Sequence, residues 1–165
     1  MTRRRLGMPG GAWLQRTIFR AALAGYAVVA GSVWADTGCI ISATSVNFGS
    51  YDVFSLPSVP NDSGVGSVSV GCASGGGKIF PVTLSPGQSG SYAARTMNNG
   101  LSLLTYNLYT DSARTIVWGD GSGGSSSMEI PKKSTRKFTV YGRIPGGQDA
   151  AVGIYTDLIV ATVIF

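Results

Sequence analysis

Few groups in this chain are able to do covalent or metal chemistry. Its 165 residues include two cysteines, Cys39 and Cys72, and no histidine. Without imidazole there is no Ser-His-Asp or Cys-His nucleophile and no His-ligated metal site. A single glutamate, Glu129, leaves acid–base work to aspartates. Asp52, Asp111, Asp120, Asp149 and Asp157 would have to meet in pairs across a cleft to cleave a glycosidic bond, and nothing in their spacing brings two together. The run Val117 to Gly121 (VWGDG) holds one carboxylate without the alternating oxygen ligands of a calcium loop, so it reads as a turn beside a buried Trp118. Gly75, Gly76 and Gly77 lack the lysine and the strand–turn–helix setting of a phosphate loop and read as a flexible turn. Tyr51, Tyr92, Tyr106, Tyr109, Tyr141 and Tyr155 suit cross-strand packing better than a sugar-stacking platform. The expectation is a protein that is not an enzyme, with no cofactor and no small-molecule substrate.

The formal charge of +5 misleads about partners. Of 13 Lys and Arg, Arg3, Arg4, Arg5, Arg16 and Arg20 fall in the first twenty residues. The eight basic groups that remain are matched by eight acidic ones, all from Asp36 onward, so residues 36–165 carry no formal net charge. Binding to nucleic acid rests on a basic face, and none is expected here. Lys132, Lys133, Arg136 and Lys137 are the one local cluster, read as a solvated strand entrance that discourages edge-to-edge pairing.

The arginine-rich start is followed by an apolar run from Ala21 to Val33 and by small residues at Val33 and Ala35. This is the layout of a secretory signal peptide over residues 1–35, cleaved after Ala35. Fifteen residues from Ala21 to Ala35 are short of the roughly 20 that span a bilayer. The exported body is then 36–165, one domain. In an oxidising compartment two cysteines default to a disulfide. A Cys39–Cys72 bridge closes a loop of about 34 residues, worth about 3–4 kcal/mol by chain entropy.

From Asp36 onward no helical period of useful length is present. Short apolar or alternating runs cut by Gly, Ser, Pro and Asn predict strands at 39–48, 66–72, 79–85, 103–109, 115–118, 136–143 and 154–165. Seven such strands predict an all-β, immunoglobulin-like sandwich, with a closed barrel as the competing architecture. After Asp157 both alternating sets turn apolar, so the last strand is expected to be buried on both faces. Its edge invites aggregation unless another chain covers it.

Spaced runs through the body resemble the spore coat protein U domain. They are residues 39–52 (CIISATSVNFGSYD), 68–72 (VSVGC), 95–97 (RTM), 104–111 (LTYNLYTD), 117–121 (VWGDG), 140–148 (VYGRIPGGQ), 153–157 (GIYTD) and 160–165 (VATVIF). That family includes Csu-like subunits of archaic chaperone–usher pili in Gram-negative bacteria. The resemblance implies an immunoglobulin-like domain lacking its final strand, held by a periplasmic chaperone, passed through an outer-membrane usher to a cell-surface fimbrium, and completed by a strand from another subunit. It also matches the Cys39–Cys72 pair to the family's bridge between its first two strands. The expected strand-accepting and chaperone-contacting residues are Leu158, Ile159, Val160, Ala161, Thr162, Val163, Ile164 and Phe165. Only Asp36, Thr37 and Gly38 precede Cys39 after the expected cleavage, so the subunit is expected to accept a strand without giving one, as at a fibre tip with a role in adhesion or biofilm formation. A self-complete spore-coat or surface-matrix protein, and a carbohydrate-binding adhesive module with an apolar loop near Phe54–Pro60, are the alternatives.

Overall fold

In the computed structural model, residues 21–22, 38–54, 59–73 and 79–165 are described. They form nine strands: β1 (Ala21–Ala22), β2 (Cys39–Asn47), β3 (Val65–Cys72), β4 (Ile79–Leu84), β5 (Arg95–Asn98), β6 (Leu103–Tyr109), β7 (Met128–Pro131), β8 (Thr135–Arg143) and β9 (Val160–Val163). All paired strands run antiparallel. One sheet has the order β1-β9-β4-β7 and the other β2-β3-β8-β6-β5. The two face each other as an immunoglobulin-like sandwich.

Alternation builds the shared core. In β3, Val68 and Val70 point inward, and in β8 Phe138 and Val140 do, while Lys137 and Thr139 face water. Opposite them lie Val82 and Leu84 of β4, Ile130 of β7 and Ala161 of β9. Trp118, fully buried, closes the middle. Its indole N–H donates to the Val82 carbonyl at 3.0 Å and its ring meets Phe138 edge-on at 5.9 Å. Cys39 and Cys72 face each other across β2 and β3 and are joined by a disulfide, with both residues buried.

β2 carries a bulge between Thr44 and Asn47. Before it Ile41 and Ala43 turn inward, and after it Val46 and Phe48 do, because one extra residue shifts the alternation by one. Thr44 Oγ1 accepts the Ser67 N–H at 2.9 Å beside the bulge. Phe48 then lies across β3 and β8 over Gly64 and Gly142. A Cβ at Gly64 would sit 2.4 Å from the Phe48 ring and one at Gly142 2.5 Å from it.

Several expectations change. The predicted strand 115–118 is a turn held by single bridges, Tyr109 with Val117 and Trp118 with Ser126. The reason is Asp111, whose carboxylate accepts the Thr115 and Ile116 N–H groups at 3.0 and 2.9 Å and curls the chain. The predicted last strand 154–165 shrinks to Val160–Val163 and is buried on one face only, since among the described residues no layer covers the outside of its sheet. β5 and β7 were not anticipated. Of the expected leader, only Ala21 and Ala22 are described; the rest of residues 1–35, and the turn at 74–77, lie outside the described residues.

Candidate functional site

β9 is the strand on which the site is built. Beside it β4 pairs Val82 with Val163, Thr83 with Thr162 and Leu84 with Ala161. Val160 N–H donates to Ser85 Oγ at 2.9 Å and Ile164 N–H to the Pro81 carbonyl at 3.1 Å. Backbone groups alternate sides along an antiparallel strand, so Ala161 and Val163 turn theirs to the opposite edge. There β1 pairs Ala21 with Ala161 and Ala22 with Val160. Among the described residues no strand lies beside Thr162 or Val163 on that side.

The eight residues expected to accept a strand separate into two sets. Ile159, Ala161 and Val163 are buried and face the core. Val160 and Thr162 are half-buried, and Leu158, Ile164 and Phe165 are exposed. Phe165 still touches Phe80 edge-on, with ring centres 6.3 Å apart. The alternation thus selects which face of the strand lines the interior, a choice that an apolar run on both faces left open.

Where β9 begins, a cleft of about 830 Å³ opens between the end of β2 and the segment 150–157. Val46, Phe48, Met97, Leu104, Leu108 and Ile144 give it apolar walls, and Ile159 brings β9 to it. Tyr106 meets Phe48 edge-on at 5.8 Å and supplies the one buried hydroxyl. The rims are tied. Tyr51 Oη donates to the Pro145 carbonyl at 3.0 Å and accepts the Gln148 N–H at 2.9 Å. The Gln148 side chain pairs with the Thr105 backbone like a short strand, donating from Nε2 and accepting at Oε1, both at 2.8 Å.

Asp157 sets the start of β9. Its buried carboxylate accepts the Tyr106 hydroxyl at 2.7 Å, the Gln88 N–H at 3.0 Å and the Leu158 N–H at 2.8 Å. It lies flush on Gly87, whose φ is +72° and whose missing Cβ would fall 2.1 Å from Oδ2. Burial first, and the Asp157 charge second, push the Tyr106 hydroxyl far above the usual tyrosine range, so it stays a neutral donor. Nearby Arg95 is fully buried. Its guanidinium donates to Asn107 Oδ1 at 2.6 Å, to the Trp118 carbonyl at 2.7 Å and twice to the Ser85 carbonyl, at 2.9 and 3.2 Å. Burial pulls it below the ordinary arginine value. Tyrosine and aspartate were visible in the sequence, but their pairing across 51 positions had no local signal.

Of the other candidates, Asp52 and Tyr155 also line the cleft; the following charged groups lie elsewhere. Asp111 and Asp120 bond their own turns, Asp120 to Ser122 at 2.9 and 2.6 Å. Asp62 forms ion pairs with Arg143 and Arg114 at 2.7 and 3.3 Å. Lys132 sits 5.5 Å from the centre of the Phe80 ring, and Lys133, Arg136 and Lys137 lie on the β7–β8 hairpin away from the cleft.

The class these features define is a disulfide-stapled, two-sheet antiparallel sandwich of immunoglobulin-like fold, with its last strand beside an apolar cleft. Sequence comparison places it further. The family model for the Spore Coat Protein U domain matches residues 26–162, and "Protein U" of Myxococcus xanthus is 36% identical over 140 residues, covering 73% of this chain and 72% of that protein. The chain belongs to the spore coat protein U domain family. Its fold is similar to a chain in the crystal structure of the CsuC–CsuE chaperone–tip adhesion subunit pre-assembly complex, from archaic chaperone–usher Csu pili of Acinetobacter baumannii, with a TM-score of 0.53, 21% identity and 77% of this chain covered. This chain spans 39% of the length of that one.

Proposed function

We propose that this protein is an exported, non-enzymatic subunit of a surface fibre of the archaic chaperone–usher type, completed by strand addition at β9. The observation that carries the reading is the edge itself. Beyond the two-residue β1 at Ala161 and Val160, no strand among the described residues lies beside Thr162 and Val163, and Val163 turns its backbone groups to that edge, near a cleft walled by Phe48, Met97, Leu104, Leu108 and Ile159. An incoming strand gains register from those groups and affinity from seating apolar side chains in the cleft. Under this reading the edge residues Leu158, Ile159, Val160, Ala161, Thr162, Val163, Ile164 and Phe165 contact first a periplasmic chaperone and then a neighbouring subunit, with an outer-membrane usher exchanging one for the other. A fold shared with a complex described as chaperone and tip adhesion subunit supports the chaperone as partner.

The position in the fibre is the tip, supported by the three residues left before Cys39 once a leader ending at Ala35 is removed. Exposed apolar side chains at the cleft rim, Phe54, Val152 and Ile154, support a role in adhesion and biofilm formation. Residues 55–58 of the expected adhesive loop lie outside the described residues.

The test is secretion of the chain with and without its candidate chaperone, followed by size measurement and unfolding. Recovery only as a chaperone complex, or a large stability gain from a donor peptide, is the expected result. A cooperatively folded lone monomer indifferent to donor peptide overturns the proposal and leaves a self-complete coat or matrix protein.

A further inference from the structure

The ladder between β4 and β9 departs from regular pairing at one residue. In the register that sets Val82 against Val163, Thr83 against Thr162 and Leu84 against Ala161, the next pair is Ser85 with Val160. Its first bond is regular, from the Ser85 N–H to the Val160 carbonyl at 2.8 Å. The returning Val160 N–H would ordinarily meet the Ser85 carbonyl. It goes instead to Ser85 Oγ at 2.9 Å, while the Ser85 carbonyl accepts Nε and Nη2 of Arg95 at 3.2 and 2.9 Å. We propose that Arg95 is a positioning residue of the accepting edge: it draws the Ser85 carbonyl out of the ladder, leaves the Ser85 hydroxyl to carry Val160, and so fixes where β9 leaves its own sheet to border the cleft. This rests on the strand-addition reading above and adds to it a residue that does not line the cleft.

The hold is built from one register pair of the opposite sheet. Arg95 and Tyr106 stand directly across from each other in β5 and β6, so they share a face, and both are buried. Each reaches over the core to the other sheet. Arg95 takes the carbonyl of Ser85, the residue after β4, and Tyr106 donates to Asp157, ahead of β9, at 2.7 Å. One pair thus ties two neighbouring strands, β4 where it ends and β9 where it begins. Between the ties at Asp157 and Val160 lies Ile159, which brings the strand to the cleft.

The chemistry of the side chain fits this task better than it fits stability. None of the acceptors of Arg95 is a carboxylate; they are Asn107 Oδ1 and the carbonyls of Trp118 and Ser85. A buried charge among neutral partners costs stability, and apolar residues of similar volume fill such places without that cost. A guanidinium offers what they cannot, donors fixed in a plane that reach three separate elements at once. It sets the end of β4 against β6 and the turn at Trp118, so the edge of β9 is already in place when a strand arrives. An edge held in this way spares the incoming strand the cost of ordering it.

The experiment uses the chain as secreted, with its disulfide formed. Hydrogen exchange compares the Val160 amide with that of Ile164, which bonds the Pro81 carbonyl at the other end of the strand. With the Ser85 carbonyl held by Arg95, Ser85→Ala leaves Val160 without an acceptor, so its amide should exchange about tenfold faster or more while Ile164 is unchanged. Ser85→Thr keeps the hydroxyl and should keep the protection; a loss of global stability would speed both amides together. Arg95→Met returns the carbonyl to the ladder, so Ser85→Ala made in that chain should no longer expose Val160. The two Ser85 variants decide the matter even where Arg95→Met does not fold. The edge itself is read with a synthetic peptide of alternating valine and threonine with a lysine at each end. It should bind Ser85→Ala about fivefold more weakly than the parent or Ser85→Thr. A Val160 amide still protected in Ser85→Ala, or equal peptide affinity for all three chains, overturns the role of Arg95 and leaves strand addition standing. If the peptide binds no chain, the parent included, strand addition at β9 fails and the proposal with it.

Discussion

Replacing Asp157 tests whether the start of β9 is held by one carboxylate. Three donors converge on it, Tyr106 Oη, Gln88 N–H and Leu158 N–H, at 2.7, 3.0 and 2.8 Å. In Asp157→Ala all three lose their acceptor. Tyr106 is buried and stays dry, so its hydroxyl bears a desolvation cost of about 1–3 kcal/mol. Gln88 and Leu158 are exposed and partly rehydrate, at about 0.5–1 kcal/mol each. The sum is about 2–5 kcal/mol. Asp157→Asn keeps Oδ1 for the two backbone donors and places Nδ2 against Tyr106 Oη, which can rotate to accept. Its cost is about 1 kcal/mol. In a domain of this size about 3 kcal/mol lowers Tm by roughly 10–15 °C. Thermal and urea unfolding of the two variants, compared in the same state of assembly as the parent, read the difference. Equal effects from Ala and Asn, or an Ala variant within about 0.5 kcal/mol of the parent, would show that β9 is placed by its apolar side chains alone.

Two further outcomes follow from particular contacts. Gly142→Ala forces a methyl to within 2.5 Å of the Phe48 ring and should destabilise by about 1–3 kcal/mol, with Phe48→Leu in the same chain recovering part of it; a neutral Gly142→Ala would mean the ring is not seated on β8. The Asp62 carboxyl is held below its ordinary value, first by the Arg143 hydrogen bonds and then, against some desolvation, by the charge of Arg114. A lowered carboxyl stabilises above its unfolded value of about 3.9 and is lost as pH falls through the lowered one, so Arg143→Met should flatten the acid limb of a stability–pH profile, and an unchanged limb would refute the pairing.

The local features of the fold were legible because they are written at short range. Alternation in β3 and β8, turn residues between them, and the absence of helical periodicity specify strands whatever lies above them. Residues 103–109 and 65–72 hold both hydrophobic sets and turn boundaries, and they form strands at nearly the anticipated limits. The two strands that escaped notice, Arg95–Asn98 and Met128–Pro131, are four residues long, and one ends in proline. Their partners, not their own composition, make them strands. The stretch 115–118 had the composition of a strand and lost it to an aspartate four residues upstream.

The amino-acid sequence by itself determined the class of fold: two cysteines, turn-bounded short alternating runs and no helical period specify a stapled β-sandwich. It also carried the family, through runs spread along the whole body. What only the tertiary structure decided is the site. Which face of residues 158–165 turns inward depends on the β4 register, because two apolar sets in one strand are equivalent until a neighbour chooses between them. The cleft depends on a one-residue bulge in β2 that carries Phe48 across Gly142 of β8 and Gly64 just ahead of β3, and the anchor of β9 depends on Tyr106 and Asp157 meeting from distant points of the chain. Contacts of that kind are made by folding, and no local pattern encodes them.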